Sequence, residues 1–88
     1  MFLFRNREFV LSHEAQVEVD RAVAEDNHVE EELRGVEWIL VRSPEIGEQI
    51  APDVYLYVNR KAIPRASLFT LMYSYNDKQV EVIRIWIR

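Results

Sequence analysis

The residues with the most chemical capacity cluster toward the end of the chain: Arg65, Tyr73, Tyr75, Arg84, Trp86 and Arg88. Arginine offers a planar fork of donors for phosphate or carboxylate, and tyrosine a stacking face or a hydroxyl donor. Arg84, Trp86 and Arg88 recur at every second position, which in a strand puts them on one face together with Val80 and Val82 and leaves Ile83, Ile85 and Ile87 on the other. The isoleucine row is the better candidate for a buried face. An exposed Arg-Trp-Arg row would then be a binding surface of the residue types that anchor interfaces. The same residues could instead be an arginine pair laid over Trp86 or reaching acids elsewhere in the fold.

Other chemistries lack their residues. The chain has no cysteine, hence no disulfide and no thiolate nucleophile or ligand. His13 and His28 are the two histidines, each placed where a helix terminus is expected, and no His/Asp/Glu cluster has metal-ligand spacing. Gly35 and Gly47 stand alone, so there is no phosphate-binding glycine loop. Glu45 and Glu48 have no evident partner for acid-base work. No cofactor and no metal is expected, and no catalytic residue is assigned.

The elements that must position the candidate face follow from periodicity. Phe69–Tyr75 and Val80–Ile87 are dense in aromatic and β-branched residues and are joined by Asn76-Asp77-Lys78, the pattern of a β-hairpin. Both runs are apolar on both faces, so at least one side must be covered. Upstream, Glu8–Leu11 reads as a strand leading into a helix capped by Ser12, with Ala15, Val19, Ala22 and Val23 as its apolar stripe. Asn27 with Glu30 resembles a capping box for a second helix carrying Val29, Leu33, Val36 and Leu40, and Trp38, Ile39 and Val41 broaden that stripe toward a buried element. Pro44 ends it. Pro44 to Asp53 reads as a loop, Val54–Val58 as a strand, and Asn59 to Pro64 as a turn; whether residues 1–6 join the sheet is left open.

Eighty-eight residues bound the chain to a single domain, 1–88, burying about two-thirds of its unfolded surface. Met1-Phe2-Leu3-Phe4 is interrupted by Arg5, Arg7 and Glu8 before it could form a signal core or a membrane span, so the expectation is a soluble, cytoplasmic protein with no membrane partner. The net charge of −4 conceals an asymmetry: residues 1–53 carry five arginines and thirteen acids, while residues 54–88 carry six basic residues and two acids. An anionic partner should approach the C-terminal side.

Phe9–Ala15, Val36–Leu40 with Ser43-Pro44-Glu45, Leu71–Asp77 and Val80–Ile85 together resemble the RelE/ParE superfamily of bacterial toxins from type II toxin-antitoxin systems. The resemblance implies an α+β fold, with a helical hairpin packed on one face of a small, curved, mainly antiparallel sheet in the order β-α-α-β-β-β. It also implies a toxin neutralised by a cognate antitoxin, and an open face that engages either ribosome-bound messenger RNA or an enzyme target. RNA cleavage through the 2′-hydroxyl needs a proton acceptor, a proton donor and cations. Thr70 stands where the ribonucleases of the family carry arginine, and the chain ends at Arg88 without their further basic and aromatic residues. These departures, with the overall acidity, weigh against nucleic acid or ribosome as the target. The alternatives are a non-enzymatic interaction or homodimerisation module of the same fold and, second, a ribosome-dependent endoribonuclease.

Overall fold

The computed structural model describes residues 7–59 and 68–88. The expectations concerning residues 1–6, the Asn59–Pro64 turn beyond Asn59, and Arg65 therefore fall outside the described residues. Strand β1 (Glu8–Leu11) leads into helices α1 (His13–Glu25) and α2 (His28–Arg42), a 3-10 turn (Pro44–Ile46), and strands β2 (Glu48–Ala51), β3 (Val54–Asn59), β4 (Phe69–Tyr75) and β5 (Gln79–Ile87). The architecture is α+β, with two helices on a five-stranded mixed sheet in the order β1-β5-β4-β3-β2. Among the described strands β1 and β5 run parallel and the other neighbours antiparallel.

The helix stripes read from sequence are the ones buried. Ala15, Val19 and Ala22 of α1 and Val29, Leu33, Val36 and Leu40 of α2 meet Phe69, Leu71 and Tyr73 of β4 and Val80, Val82, Ile85 and Ile87 of β5. Phe9, Leu11, Tyr55, Tyr57 and Tyr75 pack around the rim of this core. Each fully buried large apolar side chain contributes roughly 1.5–3 kcal/mol relative to exposure.

Four local expectations are corrected. The segment after Pro44 is not all loop: Glu48–Ala51 forms an edge strand antiparallel to β3, linked to it through Pro52 and Asp53. Asp53 takes a φ of 61°, the left-handed region that Asp tolerates better than most residues. All four β2 residues are exposed, so no apolar alternation announces the strand. Asn27 does not cap α2, because its backbone is already helical (φ −68°, ψ −13°) and its side chain makes no cap bond. Asp26 does part of that work, its carboxylate accepting from the His28 amide at 3.0 Å. Trp38 is not buried but 58% exposed.

The fourth correction concerns β5 and decides the composition of both sheet faces. Met72 is opposite Arg84 and Tyr73 is opposite Val82, so Ile83 is an extra, unpaired residue. Such a β-bulge shifts the alternation by one. Val80 and Val82 before it, and Ile85 and Ile87 after it, are all buried on the helix side. The strict alternation that grouped Val80 and Val82 with Arg84 therefore fails, and Ile83 does not share the buried row. Ser12 ties the bulge to the helices. Its hydroxyl donates to the Ile83 carbonyl at 2.6 Å and accepts from the Ala15 amide at 3.1 Å, so one side chain caps α1 and holds the carbonyl of the extra residue.

Candidate functional site

With the helices on one side, the other side of the sheet is left uncovered by any described element. Because β4 exposes its even positions and β5 switches phase at Ile83, register aligns Leu56, Met72 and Arg84 in one row and Val58, Thr70 and Trp86 in the next. Leu68 and Arg88 extend the surface, their backbones exchanging two hydrogen bonds of 2.8 and 3.0 Å. Leu56, Leu68, Thr70, Trp86 and Arg88 line an open groove of about 510 Å³. Leu68 is 41% exposed and Val58 38%, an apolar surface that no described element covers.

Arg84 and Arg88 are exposed, and among the described residues neither forms an ion pair. The Arg84 guanidinium lies 5.6 Å from the centroid of the half-buried Trp86 ring, close enough for a cation–π contact that holds both groups on the face. Of the residues singled out by sequence, Arg84, Trp86 and Arg88 are thus brought together. Arg65 lies outside the described residues. Tyr73 and Tyr75 are corrected as members of this face, since both are on the helix side of β4, where Tyr73 takes the core position that its β-rich run also suits.

Tyr73 is fully buried. Its hydroxyl donates to the Pro44 carbonyl at 2.5 Å and accepts from the Gly47 amide at 3.1 Å, clamping the turn after α2 against the sheet. Burial pushes its pKa up to about 12. Tyr75 stands at the rim, 5.0 Å from the Tyr55 ring centroid, with the Arg7 guanidinium 5.9 Å from its own. Desolvation, then its hydrogen bond with Tyr55, raises its pKa as well.

Comparison of the chain with protein-family models, with curated proteins and with solved structures finds no match. The chemistry of the face therefore rests on its own residues. It offers two guanidiniums, an indole, an aliphatic groove and the exposed carboxylates of Glu8, Glu48 and Glu81. His13 and His28, exposed at the first residues of α1 and α2, lie on the helices and not on this face. Among the described residues no group of three His, Cys, Asp or Glu side chains could hold a metal. No described helix is long and apolar enough to cross a membrane.

Leu56, Leu68, Thr70 and Met72 are the members that sequence reasoning did not assign to the site. The signal available was that Val54–Val58 is apolar on both faces: Tyr55 and Tyr57 serve the core, so Leu56 and Val58 must serve the other side.

Proposed function

We propose that this protein is a binding module of the toxin-antitoxin kind, a RelE/ParE-like chain held by a cognate antitoxin across its open sheet face, with no catalytic step assigned to it. The observation that carries the reading is the second face of the sheet: an aliphatic groove beside Trp86 that no described element covers, flanked by two arginines without ion-pair partners among the described residues. The helical hairpin on the opposite face agrees with the arrangement that the sequence resemblance implies. Bacterial origin and a cytoplasmic site of action belong to this same proposal.

The arginine end of the face, around Arg84 and Arg88, suits an acidic partner. A two-fold homodimer centred on Arg84 and Arg88 would gather four guanidiniums in one interface, with Glu81 on the same strand and Glu8 and Glu48 on the edge strands of the same face as the acids available to offset them. An acidic segment presenting an apolar side chain to the groove removes that repulsion.

The test is expression in bacteria with and without the product of the adjacent reading frame. Expected are growth inhibition by the protein alone, relief on co-expression, and a co-purifying complex that Arg84→Glu or Trp86→Ala weakens. A chain that is harmless alone and captures no neighbouring product overturns the toxin-antitoxin reading. A salt-tolerant homodimer in sedimentation that Trp86→Ala dissociates would assign the face to self-association instead.

A further inference from the structure

The helical half of the chain is acidic, yet three of its four described arginines converge on one place. Arg7, Arg34 and Arg42, with Glu37, Trp38 and Val41, line an open pocket of about 290 Å³ on the exposed side of α2. Positions 34, 37, 38, 41 and 42 share one helix face, and Arg7 reaches it from the residue before β1. Gathering like charges costs free energy unless something anionic offsets them.

The guanidiniums are only partly committed. Arg7 spends Nε on the Asn76 carbonyl at 2.7 Å and one terminal nitrogen on the Val41 carbonyl at 3.1 Å, which fixes the side chain and leaves its other terminal nitrogen without a partner among the described residues. Arg34 uses one nitrogen on Glu30 at 3.0 Å. Arg42 makes one long bond of 3.4 Å, to the Trp38 carbonyl. Each of the three thus retains at least one donor for a ligand.

The second feature is Trp38. At 58% exposure it is the most exposed large apolar side chain described, and the Arg42 guanidinium sits 4.1 Å from its ring centroid. One face of the indole is thereby occupied, and much of the rest of the ring remains accessible as a stacking platform. Aromatic platforms beside guanidinium groups suit ligands that join a flat ring to a phosphate. Glu37, on the same wall and without an ion-pair partner among the described residues, can accept from a ring N–H or amino group, a donor that a nucleobase offers and a bare phosphate does not.

We infer that the Arg7/Arg34/Trp38/Arg42 pocket binds a nucleotide 5′-phosphate, the phosphate on the guanidiniums and the base against Trp38. This site is separate from the open sheet face and does not depend on the function proposed for that face. The same chemistry is presented by a free mononucleotide and by the 5′-phosphorylated end of a single strand.

The experiment uses the full chain carrying Trp86→Phe, which leaves Trp38 as its one indole. Its fluorescence is titrated with AMP, adenosine, inorganic phosphate, and a short oligonucleotide with or without a 5′-phosphate. Expected is saturable quenching by AMP or by the phosphorylated strand, with the better ligand of the two naming the source, and markedly weaker binding of adenosine and phosphate. Arg34→Ala, whose ion pair with Glu30 is exposed, should raise the dissociation constant about ten-fold with no change in the thermal transition. Arg42→Ala should do the same. Absence of saturation up to about 10 mM, a regime of negligible affinity, overturns the inference. So does inorganic phosphate binding as tightly as AMP, or unchanged affinity in both arginine variants.

Discussion

Replacing Tyr73 by phenylalanine removes one oxygen from the interior and should be among the most damaging conservative changes available to this fold. That oxygen satisfies two backbone groups, the Pro44 carbonyl and the Gly47 amide, and Pro44 is itself buried. A buried polar group left unpaired costs about 1–3 kcal/mol. Gly47 is only half-buried and water can partly replace its bond, so we expect a loss of about 2–3 kcal/mol from a total on the order of 5–15 kcal/mol. Urea unfolding followed by tryptophan fluorescence should show a lower midpoint with an unchanged slope. Alkaline pH supplies an independent check. The folded state holds the Tyr73 proton up to about 12, against an ordinary value of 10.0, so its contribution is complete below pH 10 and is lost as pH rises toward 12. At about 1.4 kcal/mol per unit, the stability gap between wild type and Tyr73→Phe should narrow by at most about 1.4 kcal/mol between pH 8 and pH 11. Gly47→Ala attacks the same clamp from the other side, because a Cβ there would collide with the Tyr73 hydroxyl oxygen and lie 3.1 Å from the Leu56 carbonyl oxygen. Its effect should therefore be strongly non-additive with Tyr73→Phe. A phenylalanine variant as stable as wild type at pH 8, or a gap that stays constant to pH 11, would refute this account of the clamp.

Three further outcomes follow from the local geometry. Ser12→Ala loses both the α1 cap and the bond to the Ile83 carbonyl, and should cost about 1–2 kcal/mol in thermal or urea unfolding. Asp53→Gly should stabilise by up to about 1 kcal/mol, since its φ of 61° suits glycine, while Asp53→Val should destabilise; paired melting curves decide the sign. The bidentate contact of Arg21, then the Ile87 amide, holds the Glu18 carboxyl below its ordinary value despite partial desolvation. Its contribution should be present above the ordinary value of 4.5 and be lost as pH falls through the lowered one, and Glu18→Gln should flatten that acid limb of the stability profile.

The features legible in the sequence were those fixed by short-range periodicity. The stripes Ala15/Val19/Ala22 and Val29/Leu33/Val36/Leu40 are buried as their spacing requires, and Ser12 caps as its hydroxyl and position require. The features missed depend on long-range partners. Trp38 is the exception: it lies about half a turn round the helix from the Val36/Leu40 stripe and four residues before Arg42, so helix periodicity by itself places it on the exposed side beside that arginine. Tyr73 looks the same in sequence whether its hydroxyl meets solvent or the turn at Pro44, 29 residues away in the chain. In the candidate face, Arg84 and Trp86 were assigned to a common side because their mutual alternation is intact after the bulge. Their separation from Val82 was not readable, since a single surplus residue among β-branched neighbours leaves hydropathy unchanged.

That surplus residue also divides β5 into two stretches under opposite selective pressures. Upstream of Ile83, even-numbered positions must stay apolar to fill the space beneath the helices, and Glu81 can drift; downstream, the odd-numbered isoleucines inherit that obligation, and positions 84, 86 and 88 become the ones at liberty to change with a partner. Losing the Ile83 codon itself would reconcile those parities, because Val82 and Arg84 already oppose the consecutive residues Tyr73 and Met72 and would then alternate without a break. The arginine and the indole would stay on the open side and the isoleucines beneath the helices, so such a deletion would cost the carbonyl that Ser12 holds and not the parity of the strand.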